Sequence, residues 1–213
     1  MAATAPADVT GGMRDWWLRA LLVVSHPRAV FVALRDDSEG SLSDRAEPIL
    51  LIVWLAGISV VLDSAGHYLD TLGSDNVDLL IWVFLAGGIY GAFGYYAFGA
   101  LVHWAARALG SQGSYRRSRQ VVAFAAAPLV VSLLLWPFRI AIYGDAIFRT
   151  GGRDTGAGSA AFAALELAFV LWAGALLVVG IRAVHGWTWA RAGAVAALAL
   201  GLPIVLGIAL GVR

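Results

Sequence analysis

The sequence predicts an all-α integral membrane protein, with five transmembrane helices preceded by N-terminal amphipathic helices at the membrane interface. Three observations predict this class. Of 213 residues, 60% are hydrophobic and only 14% are charged, whereas an ordinary soluble domain is roughly 45–50% apolar and about 25% charged. The apolar residues gather into five long runs, at about 48–65, 79–109, 121–138, 160–182 and 190–212. Arginine is concentrated in alternate connections between them. About 20 residues of helix cross roughly 30 Å of hydrocarbon, with a range of about 17–25, so every run is long enough.

Composition also excludes several kinds of chemistry. The mean hydropathy is +0.78, and 15 basic against 14 acidic residues leave a net charge of +1, which argues against a nucleic-acid partner. All basic residues other than histidine are arginine, and there is no cysteine, so disulfides, iron–sulfur clusters and thiol catalysis are ruled out. The first run able to span begins near Pro48, and no cleaved leader is expected before it.

Taken in order, residues 1–12 are small and polar and read as a disordered tail. Residues 13–47 read as amphipathic helices and a linker on the cytoplasmic side. Met13, Trp16, Trp17, Ala20, Leu21 and Val24 recur at helical spacing on one face, while Arg14, Asp15 and Arg19 fall elsewhere. Trp16, Trp17, Arg19 and Leu21 thus mark a helix for the membrane surface, where tryptophan prefers the headgroup region. The same face could instead pack on the protein's own bundle, and the two readings are compatible. Ser25-His26-Pro27-Arg28 stops this helix and starts another, because proline suits the first turn of a helix.

The bundle occupies residues 48–213. With the N-terminus inside, the inner segments hold eleven arginines and the outer ones four, so arginine bias places the N-terminus in the cytoplasm and the C-terminus outside. The membrane expected is the cell's inner (plasma) membrane. The acidic connection with Asp70, Asp75 and Asp78 fits an outer location. Small residues mark close helix contacts in lipid. Gly87, Gly88, Gly91, Gly94 and Gly99 in the second span, and Gly193, Ala197 and Gly201 with Gly207-x-x-x-Gly211 in the fifth, are expected to form the central contact faces. A dimer interface is the other reading. Tyr90, Phe93, Tyr95, Tyr96 and Phe98 beside those glycines could border a lipid groove or simply pack.

Ionisable groups within spans are functional candidates by default. Asp63 lies roughly 22 Å along the first span and Glu166 roughly 9 Å from the outer end of the fourth, with Arg139 at the outer end of the third. These three form an expected intramembrane polar cluster, read either as a structural ion pair or as a polar path. At the other end His103, Arg107, Arg116, Arg117, Arg119, Arg182, His185 and Arg191 form an expected cytoplasmic basic rim, suited to anionic lipid. No catalytic constellation is visible. Metal-protease, nucleophile-elbow and phosphate-loop patterns are missing, and four dispersed histidines suggest no metal site. No cofactor is implied and the protein is expected not to be an enzyme.

Several segments resemble the Ypt-interacting protein (Yip) domain family, in its bacterial branch. They are His26-Pro27-Arg28 with Phe31, then Gly110 through Tyr115-Arg116 to Ala126-Ala127-Pro128, and Gly180-Ile181-Arg182-Ala183-Val184-His185-Gly186-Trp187 followed by Arg191-Ala192. The resemblance covers about residues 25–212 and implies five membrane helices with a cytoplasmic N-terminal region. Eukaryotic relatives bind prenylated Rab-type GTPases and shape membranes, and their acidic Asp-Leu-Tyr-Gly-Pro motif is missing here. The functional expectation is therefore a non-enzymatic protein that organises or remodels membrane, or binds lipid and partner proteins, a second copy included. The alternative is a small transporter, scramblase or channel subunit with a polar path near Asp63, Arg139 and Glu166.

Overall fold

A computed structural model describes residues 9–36, 38–64, 76–149 and 156–209. The described residues are helical, with no strand. Residues 1–8 of the expected tail, Asp70, Asp75 and His67 of the acidic connection, and Gly211 lie outside them. Helix α1 spans Val9–Leu22, so it begins ahead of Met13, and α2 spans Pro27–Ala33 with proline in its first turn. A six-residue helix, α3 (Glu39–Asp44), opens on the Ser38 side chain, which accepts from the Ser41 N–H. Next come α4 (Ala46–Asp63), α5 (Asn76–Ala108) and a broken third rod, made of α6 (Tyr115–Ala125), α7 (Ala127–Ser132), α8 (Leu135–Tyr143) and a 3-10 turn (Gly144–Phe148). Finally α9 spans Ala157–His185 and α10 spans Trp189–Ala209.

Four of these rods, at Gly40–Asp63, Val77–Ala108, Tyr115–Phe148 and Ala157–His185, are long and apolar enough to cross a membrane. Their surfaces agree with that. On α5 only a narrow stripe with Leu79, Val83, Ala86, Val102 and Ala106 is buried, while Leu80, Trp82, Phe84, Ile89 and Phe93 point outward. An exposed apolar area of that extent needs lipid or a partner to cover it. At 33 residues α5 is about 50 Å long, so it also projects beyond a 30 Å core.

The closest contact in the bundle joins α4 to α5. A Cβ on Gly57 would strike the Gly87 carbonyl and the Gly91 backbone, one on Gly87 would strike Ile58, and one on Gly91 would strike the Val53 carbonyl. Only glycine permits this approach, and it brings the Trp54 indole N–H within 3.1 Å of the Phe84 carbonyl oxygen. The expected contact face of the second span is thus real at Gly87 and Gly91. The expected stripe of the fifth span makes no such contact: among the described residues a Cβ on Gly193 or Gly201 would meet nothing within 4 Å, and Ala197 is exposed. Ala192, Val195, Ala196 and Ala199 turn inward instead. Both stripes of α10 are rich in small residues, so side-chain size alone does not choose between them; Arg191, at the start of the helix, donates to the Leu109 carbonyl.

Pro128 breaks the third rod. It has no N–H to give to the preceding turn, and the chain tightens there, with the Leu129 N–H reaching the Ala126 carbonyl at 2.9 Å. The bend is buried, and beyond it Ser132 Oγ meets Ser59 Oγ of α4 at 2.9 Å, a polar tie inside an apolar core.

Candidate functional site

The three segments that carry the family-like pattern meet at one end of the bundle. Phe31 of α2 is fully buried, and it fits because Gly180 of α9 has no side chain: a Cβ there would strike Phe31 and Val121. Thus α2, α6 and α9 interlock at a single glycine. One turn further along, Arg35 donates from Nε (2.9 Å) and Nη2 to the Ala183 carbonyl. The last carbonyls of a helix have no partner within it and carry partial negative charge, so a guanidinium is well placed there. The other helix ending at this site repeats the arrangement, since Arg191 donates from Nη2 to the Leu109 carbonyl just past α5.

Both helices also end on glycine in the left-handed region. Gly110 has φ +85°, and Gly186 has φ +68°. Residues with a Cβ avoid this region. After Gly110, the Ser111 N–H reaches back to the Ala106 carbonyl at 2.9 Å, the 6→1 bond of a Schellman motif. Ser111 Oγ then meets His185 Nδ1 at 3.2 Å and accepts from the Gly113 N–H at 2.9 Å. A turn after one helix is thereby stitched to the last residue of another.

Three of the expected rim arginines, Arg119, Arg182 and Arg191, lie over aromatic rings. Arg119 sits above Tyr95, Tyr96 and Tyr115, at 5.2, 4.7 and 4.8 Å from their centroids. Arg182 lies 4.5 Å over Trp189, and Arg191 lies 4.0 Å over Trp187. His185 stacks on Trp187 at 4.6 Å, and His103 meets Tyr115 edge-on at 5.8 Å. The Tyr115 hydroxyl donates to the Tyr96 carbonyl at 2.8 Å, which fixes the ring under Arg119. Arg117 donates to the Arg35 carbonyl at 3.2 Å. Arg107 and Arg116 point outward, as do Arg28 and His26. Of the expected residues, then, His103, Tyr115, Arg117, Arg119, Arg182, His185 and Arg191 make packed contacts at this end of the bundle. Pro27 and Pro128 act as backbone breaks.

Helix α1 is pinned to this end. Trp16 is 2% exposed, lies 5.8 Å from Phe124 and carries Arg19 and Arg45 near its ring, at 4.8 and 5.4 Å. Trp17 is half-buried, and Leu21, which shares Trp16's face in the helical pattern, is 77% exposed beside Leu18 and Leu22. The helix therefore has two apolar sides, one against the bundle and one open. Sequence reasoning missed Arg35, Arg45, Ser111 and Trp187 as members of this site. A cation or hydroxyl within a few residues of a helix terminus was the available signal for three of them.

Near the opposite end, Arg139 Nη1 meets Glu166 Oε1 at 2.8 Å, joining α8 to α9. Arg139 also lies 4.9 Å over Trp136. Asp63, exposed at the end of α4, is within electrostatic reach of both charges. The three expected members of the outer cluster do share one region, with the ion pair partly buried and Asp63 at its edge. Among the described residues no group of three histidines or acids could hold a metal ion.

No curated protein and no solved structure matches the chain. A family model described as the Yip1 domain matches residues 21–211, nearly the whole chain, including all three segments that interlock around Gly180. The protein therefore belongs to the Yip1 domain family, as a membrane protein built of apolar helices.

Proposed function

We propose that this is a non-enzymatic protein of the bacterial inner membrane that organises or remodels the bilayer through its arginine-rich end, which faces the cytoplasm and binds anionic lipid headgroups and partner proteins. In this reading α10 is the fifth span: its 21 residues reach about 31 Å, enough for the hydrocarbon core. Five spans leave the C-terminus outside, and the arginine bias sets the orientation.

The observation that carries the reading is the open side of α1. Trp16 holds this helix against the bundle, so Leu18, Leu21 and Leu22 form an exposed apolar edge on a helix packed against α2, and Arg28 of α2 is exposed as well, as are Arg107 and Arg116. Apolar residues next to basic ones bind a surface of anionic headgroups, each basic residue near that surface adding about 1 kcal/mol. In the same reading the Arg139–Glu166 pair is structural and holds α8 to α9.

The absence of cysteine makes the test clean, because Leu21→Cys is a unique labelling position. In full-length protein reconstituted into anionic nanodiscs, a nitroxide at this position should be accessible to oxygen and protected from a water-soluble nickel complex. Replacing anionic by zwitterionic lipid should reduce that protection. A label open to the nickel complex in every lipid overturns the reading.

A further inference from the structure

At the end of the bundle away from the arginine lattice, α4, α5, α8 and the 3-10 turn leave an open cleft of about 580 Å³. Its floor is buried Leu79, Val83 and Phe148, and its walls are exposed Leu80, Phe84 and Ile140. From Leu80 to Phe84 the cleft runs four residues along α5, about 6 Å. Its lining is apolar apart from Asp145. The Asp145 carboxylate lies 3.8 Å from the Arg149 guanidinium, and both side chains are about half exposed. An apolar slot thus opens beside one acceptor and one cationic donor set side by side.

The surrounding charge narrows what fits. Among the described residues of 63–78 and 139–166 there are four acids, Asp63, Asp78, Asp145 and Glu166, and two arginines, Arg139 and Arg149. One of those arginines, Arg139, is already paired with Glu166. An anionic headgroup would meet a surplus of carboxylates here. A headgroup carrying its own positive charge meets a complementary surface, with Arg149 placed for its phosphate. A primary ammonium has three N–H donors for Asp145, and a quaternary ammonium has none.

We propose that this cleft is a subsite for a phospholipid of the ethanolamine class, with part of an acyl chain along Leu79, Val83 and Phe148, the ammonium on Asp145 and the phosphate on Arg149. The site is independent of the α1 edge, which lies at the other end of the bundle, so the two readings can fail separately. A charge-assisted hydrogen bond to the ammonium predicts a preference of about tenfold over choline and glycerol headgroups.

The test uses full-length protein in nanodiscs holding equal amounts of ethanolamine, choline and glycerol phospholipids, each in turn bearing a photoreactive acyl chain. Labelled peptides are located by mass spectrometry. Ethanolamine lipid should label residues 79–84 and 140–148 about tenfold above the others, and Asp145→Asn should bring it down to the choline level. Leu80→Trp, at an exposed wall where folding tolerates bulk, should reduce cleft labelling by all three lipids and leave labelling elsewhere on α5 unchanged. Equal labelling by the three lipids in the wild type means bulk lipid only and overturns the proposal. So does a preference for glycerol lipid, an unchanged preference in Asp145→Asn, or a cleft that no lipid labels.

Discussion

At the end of the bundle that carries α1 and α2, arginines rest on aromatic rings and helix carbonyls: Arg119 on three tyrosines, Arg182 on Trp189, Arg191 on Trp187 and the Leu109 carbonyl, and Arg35 on the Ala183 carbonyl. At the other end Arg139 meets Glu166, and Arg149 meets Asp145. Rings and carbonyls hold a guanidinium by quadrupole and dipole and leave its charge in place. A carboxylate cancels that charge. The first end can therefore be tightly ordered and still electropositive, while the second is ordered through local neutralisation. What a guanidinium rests on decides how much of its charge reaches the surroundings.

The strongest way to break this contrast is at Arg119. Arg119→Leu should destabilise the protein by about 3 kcal/mol, because three ring contacts are lost together. Arg119→Lys should recover only part of that, since an ammonium lacks the planar face that stacks. Denaturant titration in detergent reads both, and a lysine variant as stable as wild type would show that charge alone matters there. Glu166→Gln comes next, at about 2 kcal/mol, because it leaves Arg139 partly buried beside Trp136 without its bonded acid. Asp63 remains within reach of Arg139, so Glu166→Gln combined with Asp63→Asn should cost more than the sum of the two single changes.

The smallest effect sharpens the contrast in the connection after α2. There the Ser38 backbone N–H, followed by its hydroxyl, holds the Asp36 carboxyl below its ordinary 3.8. A carboxyl with a lowered folded value is stabilising above its unfolded value, and that contribution is lost as pH falls through the folded one. Carbon-detected NMR titration of Asp36 should therefore show a midpoint under 3.8, and Ser38→Ala should move it partway back up. The effect on overall stability is slight, because the carboxyl is exposed.

Much of the fold was legible from the sequence. Four of the long apolar runs, Pro27 in the first turn of a helix, and the glycine pair Gly87 and Gly91 are local signals, and each has its expected structural counterpart. The partner glycine of that pair, Gly57, carried no signal, because a lone glycine in a span does not announce what it faces. The stripe of Gly193, Ala197 and Gly201 carried the wrong one. Two small faces on the same helix look alike in sequence, and only packing against the other helices separates them.

At the candidate site the sequence located the right cations without assigning their partners. Trp16 was legible as an apolar anchor, but whether it anchors to lipid or protein depended on Phe124 and Arg45. Leu21, read on the same face as Trp16, is exposed where Trp16 is buried. The bundle occupies only part of an apolar face and leaves the rest open.

By itself, then, the sequence determined the all-helical membrane class, the positions of the apolar runs and the bias of arginine toward alternate connections. These follow from composition and periodicity, which are properties of neighbouring residues. The tertiary structure alone decided which arginines are capped by rings or carbonyls and which by carboxylates. It also decided which small face of α10 turns inward, and that Phe31, Val121 and Gly180 share one point. Several of those pairings, such as Arg35 with Ala183, Arg191 with Leu109 and Phe31 with Gly180, join residues about eighty to a hundred and fifty positions apart, and such contacts are set only when the helices pack.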